Sequence, residues 1–175
     1  MRKWAPALFG AVLAVSPASA DVVDVADNGF AVRETVTVSA DPGRAWTALI
    51  EIGRWWDPAH TYSGDSTNMS IDPRPQGCWC EKLPGQAGVA HMTVVFADPG
   101  KMLRLFGGLG PLQALAVAGV MTWTFTPGSN GTRVEMTYSA GGYNRGGFKD
   151  LAAGVDGVLA GQMARYQRHV NGDKP

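Results

Sequence analysis

The chain has 175 residues, with 15 lysines and arginines against 15 aspartates and glutamates, a formal net charge of zero and 45% hydrophobic residues. That is one domain's worth of chain, long enough to bury a core. It carries no basic stripe that would suit nucleic acid, and its 23 glycines and 11 prolines are scattered among turns, not gathered into repeats or low-complexity segments.

Arg2 and Lys3 open the chain, an apolar run follows from Trp4 to Val15, and Ala18-Ser19-Ala20 forms a small-x-small cleavage site before charge returns at Asp21. This pattern predicts a secretory signal peptide over residues 1–20, cut after Ala20, and a mature protein that is periplasmic or secreted. The apolar run is too short to cross a bilayer. No later stretch is long enough either, so no transmembrane segment is expected in the mature chain. Residues 21–30 read as a flexible lead-in, residues 31–171 as a single domain and residues 172–175 as a tail.

Val32, Glu34, Val36 and Val38 alternate with Arg33, Thr35 and Thr37. A period of two with β-branched residues predicts a strand. Asp41-Pro42 then supplies a helix cap and a first-turn proline. The helix that follows puts Trp46, Leu49 and Ile50 on one side, and Gly53 ends it. A short turn, Arg54-Trp55-Trp56, precedes Asp57-Pro58. Six more strands are expected at 68–72, 77–83, 89–97, 101–106, 120–126 and 132–140. Most are separated by short links rich in proline and glycine. Such links join antiparallel neighbours, because a parallel crossover needs a dozen or more residues.

From Phe148 to about Asn171 the apolar positions Leu151, Val155, Leu159, Met163, Tyr166 and Val170 recur at steps of three and four. They form one face of a long helix. Gly154, Gly157 and Gly161 interrupt it, each costing about 1 kcal/mol against alanine. They are expected to allow a close approach to the sheet or to leave room for a ligand. The fold class is therefore α+β: a curved seven-stranded antiparallel sheet around one long C-terminal helix, with two short helices between the first two strands. A straight helix diverges from a curved sheet toward its ends, and the gap becomes a cavity.

Cys78 and Cys80 flank Trp79 in the second of the six later strands. Residues two apart on a strand share a face, with Cα atoms about 7 Å apart, whereas a disulfide needs Cβ atoms at about 3.5–4.5 Å. The favoured reading is two buried thiols lining the inner face with Met92, in a register that sets Cys80 against Ala90, Cys78 against Met92 and His91 on the opposite face. A strained disulfide, a metal pair and a catalytic nucleophile are the alternatives.

Asp57 and His60 lie close together after Trp55 and Trp56 and are candidates for acid and base; the favoured reading makes the two tryptophans a plug of the sheet end and Asp57 the start of a turn before Pro58. The uncharged stretch from Gly107 to Gly119 is too long for a turn. It is either a lid over the cavity, hinged at Gly107, Gly108 and Gly110 and carrying Leu109, Leu112 and Leu115, or a short helix packed on the rim.

These elements resemble the START/polyketide-cyclase/birch-pollen-allergen superfamily, called SRPBCC, with its helix-grip fold. The resemblance is carried by "VRETVTVSADPGRAWTALI" (32–50), "RWWDP" (54–58), "GCWCE" (77–81), "GVMTWTFTP" (119–127) and the last helix. It implies a cavity for a small hydrophobic molecule. Members include cyclases, dehydratases and activators of a chaperone ATPase, so three functions are expected in order: carriage of an apolar ligand, a cyclase- or dehydratase-type enzyme, or a protein-interaction module with an unknown partner. The expected ligand contacts are Trp46, Trp56, Cys78, Cys80, Met92, Leu103, Leu105, Met121, Trp123, Tyr138, Val155 and Leu159. Asp57, His60, Tyr138 and Tyr143 are the candidate acids and bases. No metal and no cofactor is expected.

Overall fold

A computed structural model describes residues 19–172. The expected signal peptide up to residue 18 and the last three positions lie outside the described residues. Eight strands form a single antiparallel sheet in the order β1-β2-β8-β7-β6-β5-β4-β3. They are β1 (Ser19–Ala26), β2 (Gly29–Val38), β3 (Met69–Ile71), β4 (Cys78–Lys82), β5 (Gly88–Asp98), β6 (Met102–Gly107), β7 (Ala116–Gly128) and β8 (Gly131–Tyr143). Helix α1 (Pro42–Ile50) follows β2, and helix α2 (Lys149–Asn171) closes the chain. This is the expected helix-grip architecture, with one strand more than the sequence pattern predicts.

The extra strand is the segment expected as a lead-in. β1 pairs with β2 from Ser19 opposite Thr35 to Ala26 opposite Gly29, and Asp27-Asn28 makes the two-residue turn between them. The sequence hides it because the register slips between Val22 and Asp24, which breaks the period of two. It is also an edge strand, so Val23 and Val25 stay exposed and no apolar face marks it.

Helix α1 forms as its first residues dictate. The Asp41 carboxylate accepts the N–H groups of Gly43 at 2.9 Å and Arg44 at 3.1 Å, and Pro42 takes the first helical position. Its apolar side buries Ala45, Trp46 and Leu49. A 3-10 turn over Ile52–Arg54 follows, where a Cβ on Gly53 would meet the carbonyl oxygen of Ser66 at 2.9 Å.

Helix α2 is tied down at its C-terminal half. Gln162 Oε1 accepts the Asp57 N–H at 2.9 Å, Arg165 Nε donates to Trp55 O at 2.9 Å, and the Tyr166 hydroxyl donates to Ala45 O at 2.8 Å. Gln167 Nε2 donates to Thr37 O at 2.8 Å, and Asn171 Oδ1 accepts the Ser39 N–H and hydroxyl at 2.9 and 3.0 Å. Gly172, in the left-handed region at φ 82°, ends the helix. The helix runs closest to β1, β2 and α1.

The centre of the gap between sheet and helix is filled. Trp55 packs edge-on against Trp56, Trp123 and Tyr166 with ring centroids 5.7, 6.3 and 5.3 Å away, and Trp56 meets Trp79 at 4.9 Å. Trp55 is fully buried. Such rings bury large apolar areas and gain further from their mutual geometry. The expected hollow is therefore absent under the middle strands; among the described residues it survives at one end. The close approach expected of Gly154, Gly157 and Gly161 is also absent: a Cβ at any of them would meet nothing within 4 Å.

Candidate functional site

The remaining hollow lies between the N-terminal half of α2, the segment from Trp56 to Tyr62, and the loop after β6. Its volume is about 480 Å³. Helix α2 contributes Leu151, Gly154, Val155, Val158 and Leu159; the sheet contributes Met69 from β3 and His91 from β5. The loop contributes Leu109, Gly110, Pro111 and Leu112, and exposed His60, Tyr62 and Asp150 stand at its rim. The wall is overwhelmingly apolar, as binding sites for small molecules are.

The loop after β6 lines one side of this cavity. Gly110–Ala114 forms a short 3-10 helix with Leu112 buried, and three side chains hold it. The Tyr138 hydroxyl accepts the Leu109 N–H at 3.2 Å and donates to Gly107 O at 3.1 Å; the Tyr62 hydroxyl donates to Gly110 O at 3.1 Å; Gln113 Nε2 donates to Ala90 O at 2.7 Å. Gly110 needs its left-handed φ of 56°. Leu109 and Leu112 face the cavity; Gly107, Gly108 and Leu115 do not line it.

Of the expected ligand contacts, Trp56, Val155 and Leu159 line the cavity. Leu103, Leu105, Met121, Trp123 and Trp46 do not. They are buried in the core, which the Trp55 cluster seals. Met92 is buried there too, and Tyr138 is fully buried and occupied with the loop. Burial raises its phenol above the ordinary value, against the hydrogen bond from Leu109. Among the acid and base candidates, the Asp57 carboxylate caps a 3-10 turn by accepting the Ala59 N–H at 3.0 Å and does not line the cavity. Tyr143 is 71% exposed at the end of β8. Only His60 reaches the rim.

Cys78 and Cys80 are joined by a disulfide, which overturns the reading as two free thiols. Their Cα atoms stand 5.3 Å apart, well short of an extended strand. Cys80 lies opposite Ala90 as expected, but Cys78 faces Thr93 and Trp79 faces Met92, so His91 is the extra residue of a bulge on β5. Trp79 and Glu81 point inward and are buried, while both cysteines are only half-buried on the other face.

The bulge creates a pair that the sequence reading missed. His91 turns inward beside Glu81, the two being 3% and 1% exposed, and His91 Nε2 lies 3.0 Å from Glu81 Oε2. Glu81 also accepts the N–H groups of Tyr62, at 3.1 Å, and of Ser63. Burial pushes the Glu81 carboxyl up, but the bonds from Ser63, Tyr62 and His91 outweigh it and hold it below the usual range. Burial also lowers His91 below its ordinary value, against the opposing pull of Glu81. The signal for this pair was Trp79: a large indole between two small cysteines belongs on the buried face, and Glu81 then shares it. Among the described residues no group of three or more His, Cys, Asp or Glu could hold a metal ion.

The family described as polyketide cyclase / dehydrase and lipid transport matches residues 29–171. The chain belongs to that family. No curated protein matches the sequence. Solved structures share its fold at low identity. A protein from Rhizobium leguminosarum is 16% identical, with a TM-score of 0.61 over 90% of this chain and all of its own. Aha1 from Colwellia psychrerythraea, a dimer in solution, is 14% identical, with a TM-score of 0.59 over 83% of this chain and 98% of its own. The di-domain ARO/CYC StfQ of the steffimycin biosynthetic pathway is 16% identical, with a TM-score of 0.56 over 82% of this chain and 51% of its own. No helix among the described residues is long and apolar enough to cross a membrane.

Proposed function

We propose that the protein binds a small, largely apolar molecule in the cavity beside the N-terminal half of α2. The observation that carries this is the cavity itself: about 480 Å³, walled by aliphatic side chains from α2 and by the loop from Leu109 to Leu112. Affinity would come from burying apolar area, about 25 cal/mol per Å² before the costs of association. Native mass spectrometry of protein purified from its own host tests the reading. A small apolar adduct, displaced by an added apolar probe, is the expected result; no adduct, together with no binding of the probe, overturns it.

A second reading, an acid/base enzyme of the cyclase or dehydratase type, is supported by one feature. His91, paired with Glu81, stands on the cavity wall, whereas Asp57 faces away. Turnover of a candidate substrate that stops on His91→Phe would favour the enzyme over the carrier. The resemblance to the chaperone activators is one of fold alone.

We further propose export, on the charged start, the apolar run and the Ala18-Ser19-Ala20 site. The disulfide between Cys78 and Cys80 supports an oxidising compartment. The intact mass of the protein from its host should give an amino terminus at Asp21. A full-length chain recovered from the cytoplasm would refute it.

A further inference from the structure

Reading the cavity as a site for apolar molecules leaves one buried polar group on its wall unused, and this inference rests on that reading. Glu81 collects three donors, the N–H groups of Tyr62 and Ser63 and the ring nitrogen of His91. An ionised carboxylate can only accept. His91 Nε2 must therefore carry the hydrogen and donate it to Glu81. In the neutral ring, the lone pair then falls on Nδ1. That nitrogen is buried and has no hydrogen-bond partner among the described residues. The rings of Tyr62 and Trp79, with centroids 5.9 and 5.7 Å from that of His91, pack near it without supplying one.

A buried acceptor without a donor is a cost to the fold unless something binds there. We propose that His91, fixed as the Nε2–H tautomer by Glu81, is the hydrogen-bond acceptor of the cavity, and that the occupant is an apolar molecule bearing a hydroxyl group. Nδ1 is sealed while the cavity is empty, so a phenol, an enol or an alcohol would reach it by displacing the exposed Tyr62 ring beside His91, with its O–H directed at Nδ1 and its hydrocarbon part against Leu112, Val155 and Leu159. A hydroxyl supplies that missing donor without bringing a charge onto an apolar wall. Glu81 touches no ligand in this arrangement; it is a positioning residue.

The test uses a matched pair of probes, 2-naphthol and 2-methoxynaphthalene, titrated at neutral pH against the full-length protein and its variants. The naphthol should bind about tenfold tighter than the ether, the margin of one well-placed hydrogen bond. His91→Phe should bind both alike, and Glu81→Gln, which no longer fixes the tautomer, should narrow the gap. Nitrogen-15 NMR of the wild-type protein should show Nε2 protonated and Nδ1 bare, with the Nδ1 resonance moved by the naphthol and not by the ether. Equal affinities for the two probes in the wild type, or a hydrogen on Nδ1, overturn the proposal while leaving the cavity reading standing. Failure of both probes to bind overturns the cavity reading, and this inference with it. Where a variant does not fold, the wild-type probe pair and its NMR decide.

Discussion

The phenol of Tyr138, on β8 beside β7, is bonded at 3.2 Å to the backbone N–H of Leu109, a residue of the cavity loop. It also donates to Gly107 O. One core side chain thus sets the position of the cavity roof. Tyr138→Phe keeps the ring and its edge contact with Phe30 but frees a half-buried N–H and a carbonyl. The expected loss of stability is about 1–2 kcal/mol. Hydrogen exchange should quicken at Leu109 and Leu112 more than elsewhere, and probe affinity should fall. Uniform exchange across the chain would contradict this role.

The three glycines of α2 should separate by function. Gly157 and Gly161 are exposed with open space around them, so Gly157→Ala and Gly161→Ala together should add about 1–2 kcal/mol of stability through helix propensity and leave probe binding unchanged. Gly154 lines the cavity. Gly154→Leu should fill part of it and weaken probe binding about tenfold. Thermal melts and probe titrations on the same three variants check both halves.

Stability should decline on the acid side in two steps of one sign. His91 is held below its ordinary 6.5 in the fold, so the unfolded chain holds more protons from that value down to the folded one. Its contribution is complete above 6.5 and lost as pH falls through that window. Glu81, held below 4.5, acts in the same sense at lower pH. A plot of Tm against pH should fall from about pH 6.5 downward. His91→Phe should remove the upper step and keep the lower one. A variant profile with the upper step intact would assign it to another group.

The disulfide should matter little to global stability. It closes a very short loop, for which chain entropy gives about 1–2 kcal/mol. The double variant Cys78→Ser, Cys80→Ser should therefore fold, with its Tm lowered modestly, because Trp79 between the two is still anchored against Trp56. A thiol assay under denaturing, non-reducing conditions should find no free thiol in the wild type. Two thiols per chain would restore the reading as a reduced pair.

The architecture was legible because it rests on periodicity: strands alternate over β2, β7 and β8, and α2 repeats its apolar face over its full length. The capped start at Asp41-Pro42 was legible for the same local reason. Edge strand β1 was not, since a slipped register and a solvent face leave no alternation to read. The cavity was placed too broadly. That Trp55 and Trp56 occupy the middle of the grip is a long-range fact, set by how α1 and the following turn swing under the sheet. The Glu81–His91 pair was lost to a single inserted residue. An alternation carried past His91 assigns that side chain to the wrong face, and only the phase of Trp79 hinted otherwise.

Every side-chain hydrogen bond described from α2 to another element starts at Gln162 or beyond. The preceding three turns, from Lys149 to Val158, are held by apolar contact alone and border the hollow. The helix is thus a cantilever whose described polar clamps all lie at its carboxyl end. On the proposed reading, a guest entering between Leu151 and the 109–112 roof would meet none of those clamps.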